Sequence, residues 1–183
     1  MINGLSDLHH PCQILADLMT IYEKKGKLRG IKIAYIGDGN NVCNSLISAA
    51  SLMEFDLHVA CPEGLEPDAK ILEAAKSSSK SEIVILSDPK EAVKKADVVY
   101  TDVWVSMGQE NSSQDKKSTL KDYQINSKLL SFSKKDVIVM HCLPAHRGEE
   151  ITDEVMDGPN SVVFDQAENR LHTQKALLEL LIK

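Results

Sequence analysis

The sequence predicts an α/β fold with a doubly wound, mainly parallel sheet and helices on both faces, Rossmann-like in layout. Three observations carry this. Apolar runs of strand length recur along the 183 residues. Stretches with apolar residues at helical spacing lie between them. Polar and reactive residues gather just after four of the runs, where such sheets bind their ligands. Near-continuous apolar strands alternating with amphipathic helices mean a parallel sheet covered on both sides.

The elements follow in chain order. Ile14, Leu15, Leu18 and Ile21 repeat as on a helix. Pro11 stands early in it, where a missing N–H costs nothing, and Gly26 and Gly30 stop it. Ile31–Ile36 is the first strand. Gly37-Asp38-Gly39-Asn40-Asn41 then turns into a helix carrying Val42, Leu46, Ala49, Ala50 and Met53. Leu57–Cys61 is the second strand, followed by a helix with Ile71, Leu72 and Ala75. Ile83–Leu86, Val98–Val103, Val137–Leu143 and Val162–Phe164 are the remaining strand-length runs, six in all. Gln109 to Thr119 is polar and reads as a loop beside the ligand edge. Leu177, Leu178 and Leu181 close the chain as a helix. No internal repeat interrupts the pattern, so residues 1–183 read as one domain.

Composition narrows the function classes. The formal net charge is −6, a poor basis for non-specific nucleic-acid binding, which needs clustered Lys and Arg. No run approaches the roughly 18 apolar residues of a membrane span. Met1 to His10 has neither the basic nor the apolar part of a signal peptide. Four cysteines (Cys12, Cys43, Cys61, Cys142) are widely spaced with no CxxC, which favours reduced thiols and a cytoplasmic setting.

Taken singly, the motifs are weak. Gly37-Asp38-Gly39-Asn40-Asn41-Val42 begins like a dinucleotide fingerprint but lacks its third glycine, and it serves equally well as a turn with an Asn cap. His141-Cys142-Leu143-Pro144 puts a thiol at a strand end, where it is either a polar contact or a small buried residue. No second ligand pair stands at zinc spacing, so no metal is expected. His10 and Gln13 lie one helical turn apart and can face one side. Asp102 can hold an ammonium and Arg170 a phosphate or carboxylate; either can equally be a surface charge.

Their joint order is more specific. His10-Pro11-Cys12-Gln13, Gly37-Asp38-Gly39-Asn40-Asn41, Asp102 through Ser106-Met107-Gly108, His141-Cys142-Leu143-Pro144 and Glu168-Asn169-Arg170 stand in the order found in ornithine carbamoyltransferases. The chain resembles the carboxy-terminal, ornithine-binding half of that family. The amino-terminal carbamoyl-phosphate domain and its Ser-x-Arg-Thr motif are absent. Helices at about 1–25 and 168–183 would bridge to that domain, leaving an apolar face of the last helix uncovered.

The resemblance implies transfer of a carbamoyl group from carbamoyl phosphate to the side-chain amine of L-ornithine, giving citrulline and phosphate, with no cofactor. His10 resembles the residue that polarises the carbamoyl oxygen, and Gln13 the one that binds the carbamoyl group. Asn41 resembles the contact to the amino-acid end of ornithine, and Asp102 the partner of its α-ammonium. Ser106 and Met107 would complete that pocket. Cys142 resembles a thiol near the reacting amine, a candidate proton acceptor. The Leu143 backbone would meet the carbamoyl amide, and Arg170 the phosphate oxygens. Cys12 replaces the family's usual Thr. Full-length members form homotrimers. Two other readings compete: a binding module without chemistry, which predicts ligand binding without turnover, and a nicotinamide-binding domain, which predicts saturable NAD binding.

Overall fold

A computed structural model describes residues 1–78, 80–105 and 113–182. Its strands are β1 (Lys32–Ile36), β2 (Asp56–Ala60), β3 (Ile83–Leu86), β4 (Val98–Thr101) and β5 (Ile138–His141). They form one sheet in the order β3-β2-β1-β4-β5, and every pair is parallel. The long helices are α1 (Pro11–Lys25), α2 (Asn41–Met53), α3 (Ala69–Ser78) and α8 (Val163–Leu181). Shorter ones are α4 (Pro89–Val93), α5 (Ser113–Leu120), α6 (Ser127–Leu130) and α7 (Asp153–Met156).

Strand periodicity divides the core into two layers. Ile33, Tyr35, Val98, Tyr100, Ile138 and Met140 face one side, against Ile14 and Ile21 of α1 and Val42, Leu46 and Ile47 of α2. Ala34, Ile36, Val99 and Val139 face the other, against Ala92, Val93, Leu129 and Val155 of the short helices. Burial on both faces is why the runs read as apolar throughout rather than alternating. The chain winds outward from β1 through β2 to β3, then crosses to β4 on the opposite side of β1. The loops after β1 and β4 therefore diverge, and that divergence opens a crevice at their carboxyl ends.

Three expectations are corrected. Val162–Phe164 is not a sixth strand. Ser161 makes a single bridge to Val139, Val162 flanks the helix start, and Val163 opens α8, with Phe164 exposed. A three-residue apolar run is too short for its period to be read. The polar segment expected as a loop carries α5 from Ser113 onward; Gln109 to Ser112 lie outside the described residues. At the chain ends, α1 begins only at Pro11, whereas α8 begins before residue 168. Gly26 ends α1 in the left-handed region, at φ 71°. The last turns of α8 leave Leu178, Leu180, Leu181 and Ile182 exposed. No described helix is long and apolar enough to cross a membrane.

Candidate functional site

The crevice has two ends, and a stacked tyrosine pair stands between them. Tyr35 of β1 and Tyr100 of β4 point to the same face, with ring centroids 5.8 Å apart. Their hydroxyls organise opposite ends.

At the loop end, Gly39 lies so close to the neighbouring loop that a Cβ there would come within 2.2 Å of the Pro67 nitrogen. Only glycine passes, and the tight turn delivers Asn40 as the cap of α2. Asn40 Oδ1 accepts from the backbone N–H groups of Val42 and Cys43 and from the Tyr35 hydroxyl at 3.1 Å. With its oxygen so occupied, its amide nitrogen faces outward and donates to Asp102 Oδ2 at 2.6 Å. Asp102 Oδ1 accepts from the Val103 N–H at 2.7 Å and from the Cys142 thiol at 2.8 Å. The carboxylate is thus held by groups that follow three different strands. Burial pushes the Cys142 thiol well above its usual range, and the adjacent Asp102 charge adds to this, so the sulfur keeps its proton and donates. Nearby, Lys116 of α5 pairs with Asp38 at 2.6 Å; burial raises the Asp38 carboxyl and Lys116 pulls it back.

Behind Cys142, His141 Nδ1 accepts from the Leu143 N–H at 2.9 Å, and its Nε2 faces Glu150 Oε1 at 3.1 Å. An accepting Nδ1 places the ring proton on Nε2, aimed at the carboxylate, so His141 is neutral. This pair, fully buried, helps hold Leu143 at φ 56°, a strained conformation for a side chain of that size. Asp102, His141 and Cys142 offer ligand atoms within 4.8 Å of one another, and the hydrogen bonds above account for that approach.

At the helix end, α1 crosses α8. Arg170 Nη1 donates to Gln13 Oε1 at 2.6 Å, and Arg170 Nε to Gln174 at 2.8 Å. Gln13 Nε2 donates to Asp17 Oδ1 at 2.8 Å. Asp17, fully buried, also accepts from Gln166 Nε2 at 2.7 Å and, through Oδ2, from the Tyr100 hydroxyl at 3.0 Å. Burial pushes the Asp17 carboxyl up to about 7, against the pull of these donors and of Arg170. Gln166 Oε1 in turn accepts from the His141 N–H at 2.9 Å. His10 lies between the two ends, and its N–H is anchored to Ser45 of α2 at 2.8 Å. Burial, and then the charge of Arg170, lower its pKa, so the imidazole is neutral near pH 7. Its Nδ1 is buried with no partner among the described residues.

A buried carboxylate beside a half-buried thiol at one end, an arginine with an amide at the other, and an imidazole between them suit a ligand with an ammonium at one end and a phosphate at the other. The sequence profile of the aspartate/ornithine carbamoyltransferase Asp/Orn binding domain matches residues 29–181. The chain belongs to this family. It is 60% identical over 182 residues to an ornithine carbamoyltransferase of Syntrophus aciditrophicus, covering all of this chain and 60% of that protein. It is 55% identical over 185 residues to that of Pyrococcus horikoshii, covering all of this chain and 58% of the relative. Among solved structures, ornithine carbamoyltransferase from Pyrococcus furiosus matches with a TM-score of 0.92 at 54% identity, over 98% of this chain and 58% of that one. The anabolic enzyme from Campylobacter jejuni matches with a TM-score of 0.93 at 42% identity, over 98% and 61%. The chain thus spans about 60% of the length of the curated relatives it matches.

Within this carbamoyltransferase domain, the residues expected from sequence fall into bonded groups. Gln13 meets Arg170, and Asp102 meets Cys142, with Leu143 next to it. Asn41 stands apart: its amide donates to the Ser6 carbonyl at 2.8 Å, and it is Asn40 that reaches Asp102. Ser106 and Met107 lie outside the described residues. Sequence reasoning missed Asp17, Tyr100, Gln166 and Glu150. For Asp17 a signal existed: Gln13, Asp17 and Thr20 form a polar stripe beside the apolar Ile14, Leu18 and Ile21, and all three are buried.

Proposed function

We propose that this chain is the ornithine-binding part of an ornithine carbamoyltransferase and takes part in moving a carbamoyl group from carbamoyl phosphate to the side-chain amine of L-ornithine. The observation that carries this reading is Asp102. Its carboxylate is buried at the crevice and fixed by Asn40, Val103 and Cys142, a ready partner for an α-ammonium.

In this reading the two ends divide the reaction. Asp102 holds the amino-acid end and so sets how far the side-chain amine reaches. That amine attacks the carbamoyl carbon in its neutral form, the C–O bond to phosphate breaks, and phosphate leaves with the electron pair. Gln13 and Arg170 hold the carbamoyl and phosphate groups, and His10 faces the carbamoyl oxygen, where negative charge develops. Cys142 keeps its proton in the free protein; it takes one from the attacking amine only as it passes its own to Asp102. The Leu143 backbone meets the carbamoyl amide; Asn41, and Ser106 and Met107 outside the described residues, are assigned to the amino-acid pocket on the family resemblance alone. No cofactor is required. The product is citrulline, the setting arginine biosynthesis in the cytoplasm, and the assembly of the full-length protein a homotrimer.

The test is citrulline production from ornithine and carbamoyl phosphate, with the chain alone and with the amino-terminal portion that its relatives carry. Turnover that requires the added portion supports the proposal. Folded chain with ornithine binding but no turnover in either arm would make it a binding module instead.

A further inference from the structure

Asp17 has no part in the chemistry described above, yet three functional elements meet on it. It lies on α1 one turn beyond Gln13 and is fully buried. Two side-chain amides, one from each crossing helix, donate to the same oxygen: Gln13 at 2.8 Å and Gln166 at 2.7 Å. The second oxygen accepts from Tyr100 at 3.0 Å.

We infer that Asp17 is a positioning residue that fixes the amide orientation of Gln13, and so turns the Gln13 carbonyl toward Arg170 at the carbamoyl-phosphate end of the site. The inference rests on the proposed function and deepens it. Oδ1 receives both amide N–H groups, so a proton bound by this carboxyl sits on Oδ2, toward Tyr100, and Oδ1 only accepts in either protonation state. Each amide that meets Asp17 must therefore present its NH2 group, which forces its oxygen the other way. For Gln13 that direction is Arg170 Nη1, at 2.6 Å. For Gln166 it is the His141 N–H, at 2.9 Å, immediately before Cys142 and Leu143. A flipped Gln13 would turn its NH2 toward the arginine, donor against donor, and a substrate arriving there would meet the wrong polarity. Among the described residues Gln13 Nε2 meets no other carboxylate, and Asp102 is engaged by Asn40, Val103 and Cys142 at the other end. Gln166 reaches only the His141 backbone at the other end, whereas Gln13 meets Arg170 directly, so the carbamoyl-phosphate end should depend on Asp17 far more than the ornithine end, a pattern that a purely structural role would not produce.

Asp17→Asn tests this with nearly unchanged shape. The side chain then offers a donor as well as an acceptor, and neither glutamine is forced. With the amino-terminal portion of the enzyme supplied, kcat/KM for carbamoyl phosphate should fall about 30-fold or more, with the KM for ornithine within 3-fold of wild type. Equal losses toward both substrates in Asp17→Asn, or wild-type kinetics, would overturn the inference. Wild-type protein without turnover would instead count against the proposed function. Should Asp17→Asn fail to fold, the chain itself decides by NMR. The Gln13 and Gln166 side-chain amide protons should exchange slowly with water and show a mutual nuclear Overhauser effect, because both face one oxygen. Fast exchange with no such effect would overturn the assignment of Asp17.

Discussion

The two ends of the crevice are made of different material. Asp102 stands among loops that leave β1, β4 and β5, and every donor that holds it follows a strand end. Gln13 and Arg170 stand on two helices that cross far from those loops in sequence. Each end takes one hydroxyl from the stacked tyrosines, Tyr35 for Asn40 and Tyr100 for Asp17. The loop end is complete in itself: its carboxylate has three donors. The stretch between the ends is not, since the buried His10 Nδ1 has no partner among the described residues. A finished end suits recognition of a fixed group such as an ammonium. An unpartnered ring nitrogen suits a group whose charge changes during reaction, since it can be engaged when that charge appears.

Three perturbations would break or sharpen this contrast. Asp102→Ala should have the largest effect on substrate binding, because it removes a charge-assisted contact of about 1.5–3 kcal/mol. The ornithine KM should rise roughly 10- to 150-fold with little change for carbamoyl phosphate; steady-state kinetics with both substrates varied would detect it, and equal changes would dissolve the two-ended picture.

Next is pH. The Asp17 carboxyl binds its proton with a pKa of about 7 in the fold, against an ordinary 3.8. Its folded pKa is the higher one, so its contribution to stability is fully present below about pH 4 and is lost as pH rises to about 7. The slope in that window is at most about 1.4 kcal/mol per pH unit. Denaturant titrations of wild type minus Asp17→Asn across pH 4–8 should isolate this fall. A flat difference would mean that Asp17 is not the buried acid described here.

The smallest effect belongs to Cys142→Ser, which keeps a hydrogen-bond donor to Asp102. Ornithine binding should change by no more than about 1 kcal/mol. The native thiol should also resist iodoacetamide at pH 8, since burial keeps it protonated. Mass spectrometry of the treated protein reads this directly.

The sheet was legible because burial on both faces writes long apolar runs, and all five strands lie within or overlap those runs. Val162–Phe164 misled because three apolar residues satisfy strand and helix alike. The short helices α4, α6 and α7 lack the length over which a period becomes visible. At the site, residues that end strands were legible, since chemistry and position coincide there. Asp102, Cys142 and Leu143 are of this kind. Asp17, Gln166 and Glu150 were not, because their meaning lies in which distant donor they meet. Asn40 and Asn41 are adjacent and chemically identical; only the turn set by Gly39 decides which of them faces Asp102.

The crossing of α1 and α8 also orders events in time. Gln13 and Arg170 are 157 residues apart, whereas β1 and β2 meet across one short crossover. By loop-closure entropy, joining the helices costs about 1.7 kcal/mol more than that first strand pairing. During synthesis the sheet can therefore assemble while the helix end is still unmade, and a nascent chain carries the Asp102 end of the crevice before it carries Arg170. Completion of the last helix is the step at which a folded scaffold acquires both halves of its crevice.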